Sequence, residues 1–462
     1  MKQEIFTEKN LYFTFCLHHS KKILFVLMIL LLGIPLLVNV LQGNVLITGT
    51  ESYYHLYESN NVTIHNLYVI PISILTMVLP GQWASIIPLI FAICSLLFVF
   101  SIQNKLKIQQ KYFFLFVIFF VISPAFIYTF STISAYAVYT FLVLSGFVLL
   151  THNSSYIKPI AFFPFILATT IDILSTSIVL CSVFVYYITK INKRNALYTT
   201  LFIILGIMFI VNLFFHQPFI IGPFHVEQIV PDLISDLGGI SGVSFFLVLL
   251  SMMGITFLWK MKQYSIYIIT LFIGISYCIH TQSIFYVSII VGLFATVAFT
   301  RTFERKWELQ DVKKIAFFVF FLGLAFSTLT YIDRIDQIGP LTADNEVLTW
   351  IKVNTPQNSI VFSTAENSEY IRYIAERTPF NSFSQDATTQ DVSASILNST
   401  YIHELFPLLE NNNITLIYIN KKMKEEFDQE QGFTFLLKNE RFKLAHSHEE
   451  SEVWAFTKEY IE

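Results

Sequence analysis

From residue 1 to residue 332 the cations of this chain keep to one side of a ladder of apolar runs. Lys2, Lys9, Lys21 and Lys22 precede the first run, and Lys105, Lys107 and Lys111 separate the second from the third. Lys158 comes next, then Lys190, Lys193 and Arg194, then Lys260 and Lys262. Arg301, Arg305, Lys306, Lys313 and Lys314 complete the set. The intervening gaps hold no Lys or Arg and carry Glu51, Glu58, Asp172, Glu227, Asp232 and Asp236 instead. Positive charge marks the cytoplasmic side of membrane helices. The alternation therefore predicts a polytopic bundle with its N-terminus inside and an acidic opposite face. Such a face suits a divalent metal better than a cationic ligand.

A span takes about 20 apolar residues. The runs predict eleven: 23–41, 83–103, 112–130, 134–150, 158–171, 172–189, 196–214, 241–259, 264–280, 283–300 and 315–332. An odd number places everything after residue 332 outside. Hydrophobic residues make up 54% of the chain and charged ones 13%, where a soluble domain averages about a quarter charged. The shortfall is confined to the first 332 residues. Two domains are expected: 1–332, a membrane bundle, and 333–462, an exterior module. Cys16, Cys94, Cys181 and Cys278 all precede that module, so disulfides do not hold it together. The first apolar run lacks a small-residue cleavage site and reads as a retained anchor.

Two exterior loops are long, about 42–82 and about 215–240, and loops of that length usually have a task. The module itself reads as α/β. Helices are expected at 344–354, 369–376, 396–410 and 433–439. Strands are expected at 359–363 and 414–419, with a hairpin of 442–446 and 452–456.

Several residues could carry chemistry. Glu51 and His55 are four apart on a helix-like stretch, which puts them on one face where they could share a metal or a proton. The plainer reading is a solvated interfacial helix anchored by tyrosines. Asp172 is the only carboxylate between Glu58 and Glu227. It is either retained for function or caps the helix that starts at Ile173. Glu227, two residues after His225, is a site acid or a solvated loop acid. His216 and His280 read as ordinary interfacial histidines.

The run Gly49-Thr50-Glu51-Ser52-Tyr53-Tyr54-His55-Leu56 resembles the first exterior loop of membrane glycosyltransferases of the oligosaccharyltransferase catalytic-subunit type, within the GT-C superfamily. There an Asp-Pro-Tyr-Tyr-His-Leu motif follows the first span. Phe224-His225-Val226-Glu227-Gln228 is similar to the later loop that carries a Ser/Thr-x-x-Glu motif in that family. Trp350-Ile351, Asn354-Thr355-Pro356, Ser359 to Ser363 and Tyr370 to Ala375 resemble the start of its exterior domain. Two departures stand out. The stretch from Phe130 to Tyr139 has no acid where the family carries an acidic pair. Thr364-Ala365-Glu366-Asn367-Ser368 stands where a Trp-Trp-Asp-Tyr-Gly motif reads the acceptor sequon.

The resemblance implies a GT-C-like fold in the plasma membrane. It implies transfer of a sugar or oligosaccharide from a polyprenyl-(pyro)phosphate carrier to a protein or glycan acceptor at the extracytoplasmic face. Glu51 would ligate a metal or activate the acceptor, supported by His55, and Glu227 would help hold the acceptor and the metal. The departing phosphate is anionic and needs a counter-charge. Either a divalent metal (Mg or Mn) on Glu51 and Glu227, with Asp172 assisting, supplies it, or Arg334, Arg372 or Arg377 does. The alternative is a catalytically silent relative that binds a lipid-linked glycan or a partner membrane protein. No nucleic-acid partner is expected.

Overall fold

The computed structural model describes residues 18–154, 156–189, 196–215, 226–239, 241–260, 264–279, 283–335, 338–381, 387–427 and 432–457. The chain divides into two compact units, Met1–Val38 with Val62–Gln337, and Asn39–Asn61 with Ile338–Glu462.

The first unit is helical. Helix α1 spans Ser20–Gln42. α2 (Thr50–Asn60) belongs to the second unit and is described with it. There follow α3 (Ile70–Val78), α4 (Ile87–Leu106), α5 (Gln110–Val121), α6 (Pro124–Ser131), α7 (Ala135–Leu150), α8 (Phe162–Thr169) and α9 (Ile173–Thr189). α10 (Ala196–Phe215), α11 (Val226–Leu233), α12 (Phe245–Lys260), α13 (Tyr264–Ile279), α14 (Ile284–Glu304) and α15 (Gln310–Ile335) complete the unit. Among the described residues, four helical stretches of this unit are long and apolar enough to cross a membrane, or five if the bent pair α5–α6 forms one span.

These helices show why the bundle suits a lipid solvent. In α15, Leu324, Ser327, Thr328 and Tyr331 turn inward, whereas Phe318, Phe326 and Leu329 are exposed. A water-soluble protein rarely exposes so continuous an apolar face. Leu115, Phe119, Leu247, Leu250 and Phe299 form one packed core of the unit.

Where 112–130 was expected as one run, α5 and α6 meet at 66°. Pro124 lacks an amide hydrogen and cannot continue a helix through the bend. The loose ends at the break are satisfied locally. Ser123 Oγ accepts from the Phe126 amide at 3.3 Å, and the Thr328 hydroxyl donates to the Ile122 carbonyl at 3.2 Å.

α12 and α14 approach closely because Gly254 has no side chain. A Cβ there would lie 2.1 Å from the Phe294 carbonyl oxygen. Gly254→Ala must push two backbones apart, and overpacking of this kind costs about 1–3 kcal/mol. Thermal unfolding of the purified variant should show that loss, and an unchanged melting temperature would mean the helices do not meet at Gly254.

The second unit is an α/β domain. Helix α16 spans Thr342–Asn354, α17 Ser368–Tyr373, α18 Ala387–Leu397, α19 Ile402–Asn411, α20 Lys421–Glu426 and α21 Phe433–Leu436. The strands are β1 (Ile360–Phe362), β2 (Thr378–Pro379), β3 (Ile414–Ile419), β4 (Phe442–His448) and β5 (Ser451–Phe456). They form one sheet in the order β2-β1-β3-β5-β4. β1 runs parallel to β2 and β3, and β5 runs antiparallel to β3 and β4.

β3 is apolar on both faces because helices cover both. Ile417 and Ile419 join the core with Leu405, Leu409 and Phe433. Tyr418 points the other way and donates to Asp344 of α16 at 2.7 Å. The expected single helix 396–410 is two helices, α18 and α19, separated at 398–401. Ser399 is buried at the break and its hydroxyl returns to the Ser395 carbonyl.

Candidate active site

α2 is held within the second unit by contacts with the terminal segment. The Gly49 amide donates to the Ile338 carbonyl at 2.7 Å, and Gly49 has a φ of 79°, a left-handed conformation that glycine adopts without strain. Thr50 Oγ1 and Tyr370 Oη share a 2.8 Å hydrogen bond. Tyr53 is fully buried, its ring edge-on to Tyr370 at 5.0 Å and to Tyr373 at 5.7 Å. The aromatic positions of α2 thus anchor it on α17.

On the same helix His55 Nε2 lies 3.4 Å from Glu51 Oε1. The histidine is 4% exposed and the carboxylate 22%. The four-residue spacing brings these two together as the sequence predicts. A buried imidazole beside a partly solvated carboxylate can take up or hold a proton from a group bound at the Glu51 side.

α17 adds two groups. Glu369 is 2% exposed, and both its oxygens accept from Arg372 Nη1, at 3.3 and 3.1 Å. Burial pushes its carboxyl above the usual range, and the Glu58 charge adds to this. Arg372, the Ser368 hydroxyl and His55 pull the other way. The Arg372 guanidinium also lies over the Tyr57 ring at 5.3 Å. Tyr54 packs against His55, with ring centroids 5.1 Å apart. Its phenol is pushed up to about 12, first by burial and then by Glu58 and Glu369. Glu51, His55, Glu58, Tyr54, Glu369 and Arg372 thus form one electrostatically linked group inside one unit.

Glu369 is the member that sequence reasoning missed. Its partners on α2 lie more than 300 residues away, and the local signal was only an acid and an arginine three apart. Arg372, one of the three arginines the sequence offers, lies in the group and is ion-paired with Glu369. Arg377 is spent on structure: its guanidinium donates to the carbonyls of Lys352 and Thr355 and to the Thr355 hydroxyl. Arg334 stands at the end of α15 in the helical unit and donates to the Ser235 carbonyl at 2.7 Å. Glu366, in the stretch that replaces the sequon motif, is exposed and ion-paired with Lys422.

Asp172 lies in the helical unit and caps α9. One oxygen accepts from the Ser175 amide, the other from the Tyr136 hydroxyl at 3.1 Å. The backbone of Glu227 belongs to α11. Its carboxylate falls outside the described residues, as do His216, His225 and His280. Among the described residues, no three His, Cys, Asp or Glu side chains are grouped to hold a metal ion. Mg2+ is commonly held by only one or two carboxylates plus substrate phosphate oxygens. Glu51 is a hard oxygen donor of the right kind, so the donor chemistry fits such an ion.

No protein-family model matches the sequence, and no curated protein is significantly similar to it. The fold does have solved neighbours. The oligosaccharyltransferase of Archaeoglobus fulgidus in its apo form superimposes with a TM-score of 0.57 at 12% identity, over 88% of this chain and 70% of that one. The same organism's AglB, in complex with an inhibitory peptide and a dolichol-phosphate, gives a TM-score of 0.59 at 10% identity, over 89% and 70%. A complex of that oligosaccharyltransferase with Zn and sulfate gives 0.57 at 12%, over 87% and 68%. At such identities the likeness shows a shared fold. The chain has the fold of an archaeal oligosaccharyltransferase, in divergent form.

Proposed function

We propose that this protein transfers a sugar or oligosaccharide from a polyprenyl-(pyro)phosphate carrier to a protein or glycan acceptor at the extracytoplasmic face of the plasma membrane. The observation that carries the reading is the Glu51–His55 pair on the helix that follows the first apolar helix, in a chain with this fold. Eleven spans, an inside N-terminus and an exterior terminal domain from about residue 333 are part of the proposal. They rest on the charge alternation.

Glu51 orients the acceptor nucleophile and draws off its proton, and His55 holds that carboxylate in place. Arg372 faces the negative charge that develops on the leaving phosphate, with Glu369 setting its position. Glu227 binds the acceptor, and Asp172 contributes through the end of α9 that it caps. A divalent ion, when bound at Glu51, would supply Lewis-acid neutralisation of the phosphate oxygens. The neighbours solved with an inhibitory peptide and a dolichol-phosphate support a peptide acceptor and a lipid-phosphate donor.

The test is exchange of labelled sugar from a defined polyprenyl-pyrophosphate donor by purified protein, with Mg2+ or Mn2+ and with chelator. Transfer supports the reading, and its loss on chelation supports the metal. Binding of the donor without any transfer would favour the silent relative.

A further inference from the structure

Three Asn-x-Ser/Thr triplets fall in segments expected on the exterior side: Asn61-Val62-Thr63, Asn398-Ser399-Thr400 and Asn413-Ile414-Thr415. Such a triplet marks an acceptor of N-linked glycan when it lies on a surface loop. A transferring enzyme also needs the asparagine amide and the hydroxyl two residues on to be within its reach. The three triplets differ in both respects.

At the first, the Asn61 side-chain amide donates to the Tyr57 carbonyl at 3.4 Å, and the Thr63 hydroxyl donates to Asn66 Oδ1 at 3.0 Å. The same Asn66 oxygen accepts from the Thr63 amide at 2.6 Å, which fixes this turn as a helix cap. At the third, Asn413 is held at a φ of 53°. Ile414 is fully buried and begins β3, the middle strand of the sheet. The Thr415 hydroxyl donates to the Ile360 carbonyl of β1 at 3.3 Å. Presenting Asn413 to an enzyme would draw β3 out from between β1 and β5.

The second triplet sits on the break between α18 and α19. Asn398 and Thr400 are both exposed. Among the described residues neither of these side chains makes a hydrogen bond. Ser399 between them is buried but small, and its hydroxyl and amide return to the Ser395 and Ile396 carbonyls. The Asn398 amide returns to Ala394. Tyr401 follows in extended conformation, with φ −125° and ψ 142°, and is 60% exposed. Lifting 398–400 off the surface therefore gives up bonds to the last turn of α18 and leaves the sheet whole. Local openings of this kind are far cheaper than extracting a core strand.

We propose that Asn398 is the attachment site of an N-linked oligosaccharide, delivered from a polyprenyl-(pyro)phosphate donor by an oligosaccharyltransferase. The Asn398 amide nitrogen bonds to C1 of the first sugar, and the bond from C1 to the phosphate oxygen breaks. The carrier leaves with that electron pair, and the amide proton passes to a base of the enzyme. The site rests on the exterior placement of the second unit, and it does not require this chain to be the transferase.

The test has two arms. Full-length protein is made in cells that N-glycosylate exterior proteins, and its peptides are read by mass spectrometry. Purified full-length protein in detergent is also incubated with an added sequon-specific oligosaccharyltransferase and its tritiated lipid-linked oligosaccharide. Both arms should place glycan on Asn398 above Asn61, and at least about a hundredfold above Asn413, since opening a central strand approaches global unfolding. Asn398→Gln and Thr400→Val should each remove that glycan without changing the melting temperature of the unmodified protein, because both positions are exposed. A bare Asn398 in the detergent arm, or glycan on Asn61 or Asn413 at the level of Asn398, overturns the proposal. Glycan in detergent but not from cells sinks the exterior placement, and the proposal with it. Sugar exchange is assayed on the same protein without the added enzyme. Its absence sinks the transferase reading and leaves the Asn398 site standing.

Discussion

Glu51→Gln is expected to lower turnover of a lipid-linked donor by about 10²–10⁴-fold, the range for losing a positioned acid or base, while the protein still folds and inserts. Glutamine keeps the shape of the side chain and can still face His55, so only the charge and the proton affinity change. Little stability is at stake. α2 is anchored by Tyr53, Leu56 and the Thr50–Tyr370 bond, not by Glu51, which is partly exposed. An acid in the first turn of a helix is worth about 0.3–1 kcal/mol against the helix dipole, which sets the loss to look for in a melt.

Glu51→Asp is the informative companion. It keeps the charge but withdraws it by one methylene, so partial activity is expected if the carboxylate positions the acceptor. Turnover is read as release of labelled sugar from a polyprenyl carrier at saturating acceptor. If Glu51→Gln turns over like the wild type, Glu51 has no part in the chemistry, and the assignment of His55 as its support goes with it.

The apolar runs located the helices to within a few residues because hydropathy and helix length both respond to one need, the burial of backbone polar groups in lipid. The bend at Ser123–Pro124 was missed for a physical reason. A run of apolar residues shows no change of composition where the axis turns, and the one local clue, Pro124, is tolerated in membrane helices. Likewise 396–410 keeps helical spacing on either side of Asn398-Ser399-Thr400, and only that polar turn separates α18 from α19. β2 is two residues long and is defined by its pairing with β1 rather than by any pattern of its own. α20 was not expected, because its six residues are short and largely charged, although Asn420 caps it by accepting from the Met423 amide. At the candidate site, Glu51 and His55 were legible because their interaction is one helical turn long. Glu369 was not, because nothing local says that a segment near residue 55 will cover it.

Removing the charge of Arg372 is expected to be the most damaging change in the second unit. In Arg372→Met the buried Glu369 carboxylate loses both of its guanidinium bonds. Breaking a fully buried pair costs about 3–5 kcal/mol. Arg372 is 21% exposed, so about 2–3 kcal/mol is expected after water replaces part of the lost contact. The pH dependence identifies the source. Glu369 has its folded-state carboxyl raised above the ordinary value, because burial outweighs Arg372. Its stabilising contribution is therefore complete below about pH 4, the unfolded range for glutamate, and is lost as the pH rises through the raised value. Arg372→Met removes the largest influence holding that value down, so the loss should continue to higher pH than in the wild type. Glu369→Gln has no proton to lose and should flatten this part of the curve. Melting temperatures of the three proteins, taken in detergent from pH 4 to pH 8, separate these outcomes. Parallel curves for wild type and Glu369→Gln would show that the carboxyl carries no shift, which would mean that Arg372 offsets the whole cost of burying it.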